Sequence, residues 1–140
     1  VTPFDLACRW LMRAARSEAE IRLRLTRVGY SARAVDETLR RLCDQRFIDD
    51  RQLARNRAQT LEDRGYGNAW IENDLLQRGL AEALVQQALE RLTPESERAV
   101  AWLTRGSGQR DPAAAWRALL QRGFSADTAE SAVGAPDDAE

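Results

Sequence analysis

The 140-residue sequence has no histidine, and each of its 21 basic residues is an arginine. Without histidine there is no Ser-His-Asp triad, no histidine-containing zinc site and no imidazole acid/base catalysis. Cysteine occurs twice, at Cys8 and Cys43. Two are too few to staple a secreted scaffold or to build a four-cysteine metal site, so they read as buried free thiols of a cytoplasmic protein. No apolar run approaches the roughly 18 residues that a membrane span needs, and no signal peptide is visible. The sequence begins at Val1 and not at methionine, which leaves the natural start open. The motifs GYG (Gly65–Gly67) and GSG (Gly106–Gly108) are too short for phosphate loops, and no glycine-rich loop ends in Gly-Lys-Ser/Thr. An enzyme is therefore the weakest class, and no catalytic residue, metal or cofactor is expected. The all-arginine usage is what codon bias in a GC-rich genome produces, and it carries little functional weight.

What is present is a folded composition: 44% hydrophobic and 31% charged residues, with a net charge of -1. It also repeats. The segments IRLRLTRVGYSARAVDETLRRL from Ile21, IENDLLQRGLAEALVQQALERL from Ile71 and AWRALLQRGFSADTAESAVGAP from Ala115 share a glycine, at Gly29, Gly79 and Gly123. Leu25, Leu75 or Leu119 precedes it by four residues, and Tyr30, Leu80 or Phe124 follows it directly. A helix that ends in a left-handed glycine, with an apolar contact from the residue after it back to the last turn, has this signature. Ser31 and Ser125 then cap the helix that follows.

Twelve residues before each glycine stand Ser17, Gly67 and Asp111, all fit to start the same helix. Ser17 with Glu20 forms a capping box, and Asp111 is followed by Pro112 at the first helical position. A further helix precedes each, over about residues 3–16, 50–64 and 94–104. Strand alternation is missing. The spacing predicts an all-α tandem array of three degenerate three-helix repeats, residues 1–46, 47–92 and 93–136, with an acidic tail at 137–140. In this frame the adjacent carboxylates of RFIDDRQLA are architecture. Asp49 is the N-cap of a helix with Gln52 at N3, Ile48 and Leu53 form a hydrophobic staple, and Asp50 suits the positive helix end. Thr2 and Thr93 occupy the cap position in the other two units.

Charge is uneven. Residues 1–46 carry ten arginines against six acids, a net +4, while residues 47–92 carry -2 and residues 93–140 carry -3. Glu20–Arg24, Asp36–Arg40 and Glu37–Arg41 read as i,i+4 pairs on solvated faces. Arg9, Arg13 and Arg16, spaced along the first helix, and Arg22 and Arg27 are less compensated, although Asp5 is placed to pair with Arg9. A second candidate surface is the loop Arg64–Trp70, with Arg64, Tyr66 and Trp70. Tyr66 can staple onto Ile71, and Trp70 reads either as packing against a neighbouring unit or as an exposed interface anchor. Trp10, Trp102 and Trp116 are assigned to core or inter-repeat packing.

The stretch RFIDDRQLARNRAQTLEDRGYGNAWIENDLLQRGL, residues 46–80, resembles the RecX family of bacterial recombination regulators. It carries the family's aromatic-aliphatic-Asp-Asp start, glycine-containing loop, Ile-x-x-x-Leu and Arg-Gly turn. SEAEIRLRLTRVGY, from Ser17 to Tyr30, is similar to the family's first-repeat signature. Trp70 stands where the family more often carries a basic residue. The resemblance implies an elongated, curved array without enzymatic activity, monomeric and cytoplasmic. It implies binding to the RecA recombinase and to its filament on single-stranded DNA, with inhibition of filament extension, ATPase, coprotease and strand exchange. The basic first unit would then face acidic RecA surface or DNA phosphate, with direct DNA binding weak. The rival class is a helix-turn-helix-like DNA-binding protein. The third helix of the first unit offers it Arg33, Arg40 and Arg41, but its counterparts offer Glu82, Gln86, Gln87 and Glu90, then Asp127 and Glu130, and mostly acidic third helices argue against tandem groove reading.

Overall fold

The computed structural model describes residues 1–106 and 111–134. The described residues form nine helices and no strand: α1 Pro3–Arg13, α2 Glu18–Val28, α3 Ala32–Asp44, α4 Asp50–Asp63, α5 Asn68–Gln77, α6 Glu82–Glu90, α7 Glu95–Arg105, α8 Pro112–Gln121 and α9 Ala126–Val133. The acidic tail at 137–140 and the last two residues of the GSG motif lie outside the described residues.

The helices fall into three sets of three, because each set closes its own core. Ile21, Leu25, Leu39 and Leu42 centre the first, Leu61, Ile71, Leu75 and Val85 the second, and Leu119, Phe124 and Ala129 the third. In each set the last helix lies against the first two, α3 on α1 and α2, α6 on α4 and α5, α9 on α7 and α8. Fully burying one leucine or isoleucine contributes about 1.5–3 kcal/mol, so a handful of such side chains holds each small unit together.

The glycine turns place the last two helices of each set. Gly29, Gly79 and Gly123 have φ of 111°, 80° and 92°. In the first, Gly29 N–H donates to Thr26 O at 3.0 Å and Tyr30 N–H to Leu25 O at 3.3 Å. Leu80 to Leu75 (3.4 Å) and Phe124 to Leu119 (3.1 Å) repeat the longer bond. The same closure ends α4, where Gly65 has φ 87° and Tyr66 N–H reaches Leu61 O at 3.1 Å. It also ends α3, where Arg46 takes the left-handed place at φ 61°. A side chain there costs on the order of 1 kcal/mol that glycine would not.

Several local expectations change. The first helix stops at Arg13 and not at residue 16, since Ala14 is extended (φ −160°, ψ 144°). The chain must straighten there to bring Ser17 into its own extended cap. Helix α7 starts from Pro94 and not Thr93, without a side-chain cap. Asp111 precedes α8, but its side chain makes no cap bond. Asp49 accepts from Gln52 N–H at 3.1 Å, while the Gln52 amide turns to Asn56 and leaves the box half closed. Ile48 is sealed into the first core and Leu53 packs on the second, so the connector is anchored in both units.

Candidate partner-binding surfaces and the joints between units

Arg9 and Arg13 are exposed on α1, and Arg27 is exposed in the last turn of α2. Among the described residues none of the three takes part in an ion pair, so the expected Asp5–Arg9 pair does not form. Arg16 and Arg22 are different. Arg16 lies beyond α1, half-buried, with Nη1 3.8 Å from Glu20 and Nε without a partner. Arg22 is neutralised twice, by Asp36 at 2.6 Å and by Glu18 at 3.9 Å. Glu18 is its i−4 neighbour, a pair that the sequence already contains.

The expected Glu20–Arg24, Asp36–Arg40 and Glu37–Arg41 pairs are replaced. Glu37 meets Arg33, while the guanidinium of Arg24 lies 4.5 Å from the Trp10 ring centre and that of Arg41 3.9 Å from Phe4. An arginine gains from the ring quadrupole while its stem covers apolar surface, which competes well with a solvated carboxylate. The unit's positive charge is thus partly spread over α1.

The loop Arg64–Trp70 is a joint between the second and third units. Tyr66 packs on the second core and stacks on Trp70, with centroids 4.5 Å apart and planes 10° from parallel. Arg122 of the third unit lies 4.5 Å from the Tyr66 ring centre and 5.1 Å from Trp102. Its Nε donates to Gly65 O at 2.9 Å and its Nη2 to Arg64 O at 2.6 Å. Trp70 remains 44% exposed beside Gly123, so it both packs on the neighbouring unit and offers a face to solvent. Trp102 and Trp116 are partly buried on the third core, and Trp10 on the first.

Both joints use one plan. The start of the middle helix in one unit docks on the glycine turn of the next, and a carboxylate at the first position of the next unit's first helix accepts from it. In the first joint Ser17 Oγ donates to Arg78 O, and Asp50 accepts from Glu18 N–H at 2.9 Å. In the second, Gly67 and Ala69 N–H donate to Arg122 O (2.8 Å) and Gly123 O (3.0 Å), and Glu95 accepts from Asn68 N–H at 2.7 Å. The first unit has Pro3 where Asp50 and Glu95 stand, and α8 opens with Pro112, which has no N–H to give.

The second joint is bonded more heavily. Arg98, only 8% exposed, donates to Asn68 Oδ1, Thr93 O and Tyr66 O. Glu95 also accepts from the Thr128 hydroxyl at 2.7 Å and from Ser125 N–H at 3.3 Å. The carboxyls respond oppositely. Burial pushes Asp50 above the ordinary range, and its one bond from Glu18 N–H does not offset this. Burial also pushes Glu95 up, but the bonds from Asn68, Thr128 and Ser125 outweigh it and hold the group below the ordinary range.

The joint residues Asp50, Glu95, Arg98 and Arg122 were not among the sequence candidates. One signal was available: an acid recurs at the first position of α4 and α7. Among the described residues no three histidine, cysteine or acidic side chains form a candidate metal site, and no helix is long and apolar enough to cross a membrane.

Comparison with known proteins fits this architecture. Residues 4–42 match the model of the first three-helix domain of RecX, and residues 49–89 that of the second. Regulatory protein RecX of Halorhodospira halophila is 29% identical, over 96% of this chain and 88% of the relative. RecX of Deinococcus radiodurans is 34% identical over 84% of this chain, which spans 60% of that protein. RecX of Pasteurella multocida is 34% identical over 61% of this chain, which spans 52% of that relative. The crystal structure of RecX from Lactobacillus salivarius superposes with a TM-score of 0.81 at 20% identity, covering 94% of this chain and 92% of that one. At that identity the likeness speaks for the fold, and the two matched domains speak for descent. This three-unit helical chain belongs to the RecX family of regulatory proteins.

Proposed function

We propose that this chain is a non-catalytic cytoplasmic regulator of the RecA recombinase. It binds RecA and its filament on single-stranded DNA, limits filament extension, and thereby damps ATPase, coprotease and strand-exchange activity in DNA repair and the SOS response. The observation that carries the reading is its membership of the RecX family through two consecutive three-helix domains. A tandem array supports it physically, because each unit contacts only its neighbours and leaves long faces free for an extended partner.

The first unit supplies the electrostatic attraction. Its net +4 faces outward in part through Arg9, Arg13 and Arg27, which have no ion pair among the described residues. Arg16 and Arg22 drop out of this contact set because Glu20, Glu18 and Asp36 already hold them. Arg64 and Trp70 remain exposed candidates at the second joint. DNA adds little, since α9 presents Asp127 and Glu130, and α6 sets Glu82 and Glu90 around its amides Gln86 and Gln87, so both helices carry acids that repel a phosphate-lined groove. The protein acts as a monomer. The test is the DNA-dependent ATPase of RecA with and without the chain. Inhibition at stoichiometric amounts is expected, and Arg9→Glu with Arg13→Glu should weaken it about tenfold with thermal unfolding unchanged. No inhibition by the unsubstituted chain would end the reading.

A further inference from the structure

The first joint is open at its flank. There α2 and the turn between α5 and α6 bound a cleft of about 670 Å3. Its lining is apolar at Ala19, Leu23, Gly79 and Ala81, and Leu23 is 49% exposed although it sits mid-helix. Three charged side chains share the lining: Glu18, Arg22 and Asp50. Their balance is negative. Arg22 is committed to Asp36 at 2.6 Å and lies 3.9 Å from Glu18, whose carboxylate stays half-exposed, while among the described residues Asp50 is met by the backbone N–H of Glu18. Among the described residues no arginine forms an ion pair with Asp50. Asp49 and Glu20 stand near it and add to the negative potential.

A phosphate backbone finds no excess of cations here, even with Arg46 and Arg51 on the adjoining surface beside Asp50, and phosphate binding needs that excess. A protein side chain that is apolar suits the floor, and a neighbouring cation suits Asp50 and Glu18. We infer that this cleft receives a protein segment that sets an apolar side chain against Leu23 and Ala81 and a lysine or arginine against Asp50 and Glu18. The inference deepens the proposed function and rests on it, since it takes the segment to come from the RecA filament. Contact here also complements the basic first unit, because one patch attracts acidic surface and the other basic surface. Two opposite patches fix the direction in which the array lies on its partner.

The test measures binding of the full chain to RecA filaments assembled on single-stranded DNA, with an oligothymidylate alone as the second probe. Leu23→Glu sets a charge on the floor, and Ala81→Trp fills the cleft from an exposed position. Each should weaken filament binding at least tenfold, with thermal unfolding unchanged, whereas Val100→Glu, exposed on α7, should stay within twofold. Glu18→Gln should lose about threefold. Filament binding within twofold of the unsubstituted chain in both cleft variants overturns the inference and leaves the regulator reading standing. Equal loss of oligothymidylate binding in the cleft variants also overturns it, by making the occupant nucleic acid. An unsubstituted chain that binds no filament removes the regulator reading, and the assignment of the segment to RecA falls with it.

Discussion

The two joints share a plan and differ in width. At the first, Ser17 fills the gap with its hydroxyl, which donates to Arg78 O while accepting from Glu20 N–H at 3.1 Å. At the second, Gly67 stands in the same place and its backbone donates directly to Arg122 O. The glycine is needed for that approach. A Cβ at Gly67 would lie 2.5 Å from the Gly123 carbonyl carbon, against backbone that has nowhere to move. One methylene and one hydroxyl thus separate a joint closed through a side chain from a joint closed backbone to backbone. The closer joint gathers Arg98, Arg122 and the Glu95 network. The wider one is left with Ser17 and Asp50 as its polar links and a cleft beside it.

The largest expected effect comes from forcing the second joint to the width of the first. Gly67→Ala should destabilise the protein by about 3 kcal/mol, read as a lower urea midpoint, because its methyl meets main chain. A loss under about 1 kcal/mol would show that this joint is as yielding as the other. Next is Ser17→Ala, which leaves Glu20 N–H and Arg78 O without their partner in a fully buried place. Its cost should be about 1–2 kcal/mol.

The smallest effect is in the response to acid. Glu95 is held below its ordinary range, so the unfolded chain binds its proton more readily. Its contribution is therefore present at neutral pH and lost as pH falls through the ordinary carboxylate range toward the lower folded value. Asp50 is raised, so its ionised form is a burden above its folded value, and that burden is relieved on acidification. Glu95→Gln should flatten the acid side of the stability curve, while Asp50→Asn should steepen it, because the relief that protonation of Asp50 brings is removed. Urea midpoints between about pH 3 and pH 7 check both. Like slopes in the two variants would erase the distinction between the joints.

The sequence made the local closures readable and the joints hardly at all. The glycine turns at Gly29, Gly79 and Gly123 could be placed because their bonds span only a few residues and leave an apolar mark on either side. Ser17 was readable as a cap for the same reason. Its second bond, to a carbonyl 61 positions away, had no local sign. Asp50 looked like a residue serving its own helix, yet its carboxylate serves the start of α2. Arg98 carried no local sign at all, and its burial follows from converging carbonyls that no periodicity encodes. The arginines were misassigned for a related reason. Sequence spacing offers Arg24 and Arg41 a carboxylate, whereas the fold offers them Trp10 and Phe4.

The two prolines at the outer units set a boundary on assembly. A head-to-tail contact between copies would be heterologous and non-closing, the kind that grows into fibres. To reuse the intramolecular joint, one copy would need a donor N–H at the first position of α8 and the other a carboxylate at the first position of α1. Pro112 supplies no N–H and Pro3 no side-chain oxygen. The carboxylate-to-backbone bond common to both joints therefore cannot form between α8 of one copy and α1 of another, so such a contact would lack the link that both internal joints share.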